Sequence, residues 1–488
     1  MGWRDEYKRR LASAEDAVKV IEAGDLVVIP IAGPRVLPRF VFDRCQALDQ
    51  PIDLRLSSPL TDPGWIRADW QQLFRMEFEV FVGDFARPAL DEGRATYQPN
   101  LFTLAHKPLD DERPEARRPD VFVTSVTPPD DEGYVTFGAH NWNKRSYVRH
   151  ARKAIAEVDA GLRRVCGDNR VHVTEFERFV EIPPLEITKE MVSAWLRRVP
   201  DEDLRADYQS IVDELKSLER LLLIGPAMTR VPPEQVRRVL GLAKPTPEAQ
   251  AVAGYVSELI PDGATIQIGV GEPSMYMARA GAFDGKTDLG LHTEMSAPGL
   301  AKLVDAGVIT GRRKELHTGK AVAGAWSGSD EEDLAILTEN PAFEVYDPEY
   351  VLDVRVIAQH DNFRSINNAL SVDLIGQINV ESVFGPRMIN GSGGQPEAHI
   401  GALLSKGGRA ITLLPSTALE GAVSRIVARH DEGSIVTIPR YLADTIVTEH
   451  GIARLMGKNH RERAQELIAV AHPDFREELK QQAAEMLG

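Results

Sequence analysis

Three short segments carry residues whose types and spacing suit chemistry. The first is Asp288-Leu-Gly-Leu-His-Thr-Glu-Met295. Leu289 and Leu291 read as one face of a short strand. The polar set His292, Thr293 and Glu294 follows, and then Ser296-Ala-Pro-Gly299. A carboxylate at the C-terminal end of a parallel strand, in the loop before a helix, stands where open α/β sheets place ligands. A Glu there can act as nucleophile, base or metal ligand. Position alone more often marks a solvated loop residue.

The second segment is Met388-Ile-Asn-Gly-Ser-Gly-Gly-Gln395. Gly391, Gly393 and Gly394 let the backbone approach a ligand closely, and their N–H groups can meet an oxyanion or a phosphate. A tight turn is an equal reading. Ser392 is not in a GxSxG elbow, because position 390 is Asn. The third segment is Gly269-Val-Gly-Glu-Pro273, after Ala264–Ile268. It begins like a dinucleotide fingerprint but lacks the third Gly, and no GxxxxGK[ST] loop occurs in the chain. Gly269 and Gly271 still suit close backbone approach to a ligand. Glu449-His450 and His472-Pro-Asp474 have no metal-site spacing, so no metal is assigned.

These segments need strands and loops to hold them. Asp25–Ile31 predicts a strand after a helical stretch at Ala14–Ala23. Asp120–Val126 predicts another, followed by the turn residues Pro128–Gly133, the run Tyr134–Phe137 and a helical stretch into Ala151–Val158. The plan then recurs. Gly24–Pro34 matches Gly263–Pro273, and Asp130-x-x-Gly133-x-Val135 matches Asp373-x-x-Gly376-x-Ile378, at offsets of 239 and 243 residues (263 − 24 and 373 − 130). Two matches in one order at nearly one offset suggest duplicated α/β units. Between them, Asp201–Leu223 has apolar residues at helical spacing and Pro232-Pro233 opens another helix through Leu240. A packing linker is the plainer reading of this region; a dimer contact or lid is the sharper one. Near the end, His460–Ala471 reads as helix and Asp474 as the N-cap of a last helix from Phe475.

Bulk properties bound the rest. At roughly 150 residues per domain, 488 residues give about three units or two larger ones. Apolar residues make up 43%, enough for a sizeable core. A net charge of −16 argues against nucleic-acid or anionic-membrane partners, though not against a small anionic ligand. The two cysteines, Cys45 and Cys166, lie far apart, which excludes a disulfide framework and suits a reducing cytosol. The first twenty residues are charged throughout, without a signal-like apolar region. No uninterrupted apolar run approaches the ~20 residues needed to span a bilayer.

Taken together, these segments resemble the acetyl-CoA hydrolase/transferase family, which includes acetate, succinate and 4-hydroxybutyrate CoA-transferases. The resemblance runs through Ser125–Tyr134, Ala154–Val158, Pro261–Gly271, Leu289–Met295, Asn390–Gln395, Pro415–Thr417, Val447–Ala453 and Ala471–Arg476. It implies an α/β fold of two tandem related open domains with the site at their interface: 1–187, a helical insertion at 188–247, and 248–488 carrying the catalytic Glu. It implies that Glu294 is a nucleophile forming a glutamyl-CoA thioester, with an oxyanion N–H from Gly394. Gly269, Gly271, Gly391, Gly393, Gly394 and Gln395 are the expected coenzyme A contacts. CoA enters as co-substrate beside a small carboxylic acid, with no tightly bound cofactor. A cytoplasmic homodimer is expected. A hydrolase using the same Glu, and a non-catalytic CoA-binding homologue, are the alternatives.

The chain departs from the family pattern in three places. His360 stands where the family usually has an Asn that helps hold the oxyanion, so His360, Gln359 and Asn362 are candidates for that role. After Gly-Gly-Gln the family usually has an Asp-Phe pair and an Arg; here Ala398 and Ile400 take the Phe and Arg positions, which implies a reshaped acyl pocket for a larger acid. The Gly271 loop is one residue shorter than usual, and the helical insertion is atypical.

Overall fold

The computed structural model describes residues 2–57, 64–66, 70–183, 186–326 and 328–488. Two large sheets dominate. In the first, Leu26–Ile29 is central. Ile52–Leu56, Phe74–Glu79 and Ala95–Gln98 follow in turn on one side; Val121–Val126, Lys153–Val158 and Arg178–Glu181 follow on the other. All pairs are parallel. The second sheet repeats this order. Thr265–Ile268 is central, with Gly290–Met295, Ala321–Ala325 and Phe343–Val345 on one side and Arg364–Asn368, Arg409–Leu413 and Thr445–Thr448 on the other. Gly451–Arg454 adds an antiparallel edge. Cys166–Gly167, from the first half of the chain, pairs with Phe343–Val345 and completes the opposite edge.

The reason for continuous apolar strands is visible in Leu26–Ile29. Val27 and Ile29 enter one core, while Leu26 and Val28 enter the core on the other face. A parallel sheet covered on both faces buries every residue of its central strands, so no alternation appears in them, whereas Ile52–Leu56, nearer the edge, still alternates. Lys153–Val158 obeys the same rule. Expected as part of a helical stretch, it is a strand, and helix Lys144–His150 precedes it. Parallel pairing with Val121–Val126 outweighs the helix preference of its alanines.

The duplication extends to its turns. Asp130 Oδ1 accepts the N–H groups of Glu132 (3.0 Å) and Tyr134 (2.9 Å). Asp373 Oδ1 accepts those of Ile375 (3.2 Å) and Gln377 (2.8 Å). Gly133 (φ 87°) and Gly376 (φ 95°) supply the left-handed step each turn requires.

Residues 188–240 form helices Lys189–Leu196, Glu202–Glu214 and Pro233–Val239 with short 3₁₀ turns between. The helix from Asp201 ends at Leu215, earlier than its apolar spacing suggests. These elements share a core that includes Trp195, Tyr208, Ile211 and Met228. Arg238 Nε meets Glu272 at 2.9 Å and docks the unit on the second half. At the C-terminus, His460–Val470 is helical as expected. Asp474 is not the cap of the last helix: Pro473–Phe475 is a 3₁₀ turn whose first free N–H is taken by His472, and the helix Arg476–Leu487 follows Phe475. Among the described residues no helix is long and apolar enough to cross a membrane.

Candidate active site

Glu294 is the penultimate residue of strand Gly290–Met295, not a residue of the loop beyond it. That strand neighbours Thr265–Ile268, the central strand where the sheet's order reverses. Open α/β sheets bind ligands at the C-terminal ends of strands at such a reversal. Thr293 Oγ1, on the opposite face, accepts the Ile268 N–H at 3.2 Å and fixes the strand's register. His292 shares the face of Glu294. Its Nε2 meets the Val351 carbonyl at 2.7 Å, which makes Nε2 the protonated nitrogen. This bond holds the segment whose next residue, Leu352, lies under Gly394.

The Gly-rich loop meets the carboxylate from the other side. Gly394 N–H donates to Glu294 Oε2 at 2.8 Å. Gly394 is also the cap of helix Gln395–Leu404, so the carboxylate sits at that helix's positive end. A Cβ at Gly394 would overlap both Glu294 Oε2 and the Leu352 side chain. Only glycine permits this approach.

The other carboxylate oxygen, Oε1, is buried without a partner, and Glu294 is 6% exposed. Burial pushes its carboxyl up to about 8; the nearby Glu397 adds to the rise, and the Gly394 N–H opposes it. Glu397 is itself pushed up to about 7, chiefly by burial. Its Oε1 accepts Thr103 N–H (2.7 Å) and Thr103 Oγ1–H (2.6 Å), bonds that cross from the first half of the chain. Its Oε2 has no partner, nor does Gln395 Nε2.

Apolar groups from both halves pack beside the Gly loop. Phe102 stacks on Trp142 at 6.1 Å, and Phe81 meets both rings edge-on. Ala398, Leu352 and Met295 belong to the same cluster. A Cβ on Gly391 would strike the Val80 carbonyl and the Tyr97 hydroxyl, and one on Gly393 would touch the Phe81 ring. The Gly loop is thus the seam between the halves.

The remaining expected residues are distributed differently. Gly269 abuts the Asn367 side chain, and the Gly271 loop is tied by Asn368 Nδ2 to the Val270 carbonyl at 2.9 Å and by Ser274 Oγ to the Gly269 carbonyl at 2.6 Å. These contacts stitch the neighbouring strand end rather than touch Glu294. His360 is fully buried, 5.0 Å from the His292 ring, and desolvation pushes it down to about 3. Gln359 Nε2 bonds the Arg355 carbonyl at 2.9 Å, and Asn362 occupies a left-handed turn (φ 54°). None of the three donates to Glu294. Sequence reading missed Glu397, Thr103 and the aromatic trio. Glu397 carried one signal: an acidic residue in the first turn of a helix that starts at a glycine loop.

The acetyl-CoA hydrolase/transferase N-terminal domain matches residues 1–209, and the C-terminal domain of the same name matches residues 331–483. The chain is similar to the 4-hydroxybutyrate coenzyme A transferase of Clostridium kluyveri, with 32% identity over 98% of both chains. It is similar to the succinyl-CoA:cyclohexane-1-carboxylate CoA transferase of Geobacter metallireducens, with 30% identity over 99% of this chain and 97% of the other. Among solved structures, RipA from Yersinia pestis superposes with a TM-score of 0.77 at 30% identity, covering 100% of both chains. The 4-hydroxybutyrate CoA-transferase of Porphyromonas gingivalis gives 0.67 at 25% identity, covering 99% of this chain and 100% of the other. With this extent of similarity, the two sheets and their Gly-loop seam are those of a member of the acetyl-CoA hydrolase/transferase family, to which this chain belongs.

Proposed function

We propose that the chain is a CoA-transferase that moves CoA from an acyl-CoA to a carboxylic acid through a glutamyl-CoA thioester on Glu294. One observation carries this reading: the buried carboxylate has one oxygen held by Gly394 N–H and the other unpartnered. That division assigns the two oxygens different work.

Oε1 attacks the thioester carbonyl. A C–O bond forms, the C–S bond breaks, and CoA leaves as thiolate, giving a mixed anhydride. The thiolate then attacks the glutamyl carbonyl, whose oxygen is Oε2. Negative charge develops on Oε2 where Gly394 N–H already points, at the positive end of a helix. The anhydride C–O bond breaks, leaving glutamyl-CoA and the free acid. A second carboxylate repeats these steps in reverse. A fixed donor of this kind is worth roughly 10²–10³ in rate. Covalent relay divides one hard exchange into easier steps. A carboxyl raised to about 8 is also a stronger base, and so a stronger nucleophile, than a solvated glutamate.

Hydrolysis by the same Glu is the second reading. The burial of Glu294 favours transfer, because water must be kept from the thioester. We further divide the chain into units 1–187, 188–247 and 248–488, and infer a cytoplasmic homodimer from the family resemblance.

The test is mass spectrometry of the protein incubated with a panel of acyl-CoAs and trapped with hydroxylamine or borohydride. Modification at Glu294 supports the covalent reading. A protein that binds CoA but is never modified at Glu294 overturns it and leaves the binding homologue. CoA release with and without acceptor acid separates transfer from hydrolysis.

A further inference from the structure

The loop 139–143 of the first half docks on the second half beside the Glu294 strand. Trp326 N–H donates to the Ala139 carbonyl at 2.9 Å, and His140 bridges Ala325, the residue that pairs with Met295 at the end of that strand. Further along the loop, the Trp142 ring meets the Phe81 ring at 6.3 Å. Phe81 and Glu294 Oε2 lie 3.0 Å and 4.0 Å from the point where a Cβ on Gly393 would stand. Asn141 sits between these two anchors. It is 0% exposed, and neither its Oδ1 nor its Nδ2 has a hydrogen-bond partner. Asn143, two residues on, is the contrast: its Nδ2 donates to the Phe102 carbonyl at 3.2 Å and its Oδ1 accepts the Glu349 N–H at 3.2 Å.

A buried primary amide without partners leaves both its donors and its acceptor unused, a state that folded proteins rarely keep without a function. The cost continues along the chain. Trp142 (φ 49°) and Asn143 (φ 58°) stand in the left-handed region, which a side chain as bulky as Trp seldom adopts. Glu294 Oε1 is likewise buried without a partner, although a thioester must reach it. The two faces of the Asn141 amide say what would complete it. A carboxylate or phosphate would satisfy Nδ2 but set negative charge against Oδ1. A chain that carries amides satisfies both, giving N–H to Oδ1 and C=O to Nδ2. CoA has such a chain next to its sulfur: the pantetheine arm holds two amides, the nearer one two methylene groups from the thioester.

We propose that Asn141 binds the pantetheine arm of CoA, accepting an amide N–H at Oδ1 and donating from Nδ2 to an amide carbonyl. This rests on the function proposed above. The first half of the chain then grips the arm while the second half carries the nucleophile. Contact with this non-reacting part of the substrate holds the thioester carbonyl against Glu294.

The test is calorimetric titration of the wild type and Asn141→Leu with CoA and with adenosine 3′,5′-bisphosphate, which is the nucleotide end of CoA without the arm. Asn141→Leu is expected to bind CoA about 10–100-fold more weakly, the worth of two hydrogen bonds, and to bind the bisphosphate as the wild type does. Its melting temperature without ligand is expected to rise, because an apolar side chain of similar size replaces an unsatisfied amide. An asparagine kept for the fold would give the opposite sign. Unchanged CoA affinity, equal weakening for both ligands, or a lowered melting temperature overturns the proposal. So does a changed preference for 4-hydroxybutyrate over butyrate as acceptor with CoA affinity intact, which hands the amide to a hydroxyl on the acyl group. If Asn141→Leu does not fold, Asn141→Ala takes its place in both titrations. Labelling at Glu294 in the wild type, with normal CoA binding by the variant, sinks this proposal and leaves the covalent mechanism standing. A wild type that does not bind CoA overturns both.

Discussion

Ser57 stands in the first sheet where Glu294 stands in the second. Val27 pairs with Leu54, and its counterpart Ile266 pairs with Leu291; three residues further along each strand line come Ser57 and Glu294. Ser57 Oγ donates to Glu79 Oε1 at 2.6 Å, and Glu79 also accepts the Tyr147 hydroxyl and, at 3.2 Å, Asn100 Nδ2. One copy of the unit has closed this position with a satisfied network. The other leaves a carboxylate oxygen unpartnered. The contrast separates a structural buried polar site from a reactive one.

Glu79→Gln tests the closed copy. The amide carries no charge to face Arg55 Nε at 4.0 Å and forces the Ser57 and Tyr147 hydroxyls to turn from donors into acceptors. Stability falls by about 1–3 kcal/mol in urea denaturation, while the folded fraction still labels at Glu294.

Gly394→Ala tests the open one. The backbone at Gly394 (φ −88°) suits any residue, so the chain folds. The new methyl displaces the Glu294 carboxylate and Leu352, and kcat falls by roughly 10²–10³. Near-ultraviolet circular dichroism should match the wild type.

Glu294 sets a pH dependence. With its carboxyl near 8, kcat/KM rises with pH through neutrality and levels above about 8. Removing the neighbouring charge in Glu397→Gln moves that rise to lower pH. Stability runs the other way. The native chain holds a proton that the unfolded chain releases between about 4.5 and 8, so this group's contribution weakens as pH rises across that window. Glu294→Gln is inactive and lacks the loss. Its thermal stability relative to wild type should grow from pH 5 to pH 8.

The paired Asp turns give a control for the duplication. Asp130→Ala and Asp373→Ala each release two backbone N–H groups. Each should lower stability by about 1–2 kcal/mol. The Asp373 change should be the larger in denaturant titrations of both variants, since Asp373 is buried, whereas Asp130 is part-exposed and its Oδ2 partner, Arg170, lies at the surface.

Much of this was legible in residues close together in sequence. Gly24 and Gly263 open matching strands because each step needs a left-handed glycine (φ 80° and 76°), and composition reports that directly. Glu294 and Gly394 were singled out because a polar residue ending an apolar strand and a glycine cluster are both local signals. Glu397 was passed over, since the first turn of a helix usually carries an acidic residue in solvent, and only tertiary packing tells that this one is buried. The Phe81–Phe102–Trp142 wall was equally hidden. Its neighbours Leu352 and Ala398 lie more than two hundred residues away, and no spacing rule links them. Lys153–Val158 failed for a related reason, because a strand buried on both faces shows no alternation.

The two-residue strand Cys166–Gly167 has a consequence for how such a protein can be built. A gene fragment ending near residue 187 takes with it the outermost strand of the other half's sheet, and the remaining fragment begins life with a bare edge at Phe343–Val345. The halves look like interchangeable modules by strand order, yet the first carries a strand of the second. Shuffling one half onto a foreign partner would succeed only where the graft brings this strand along.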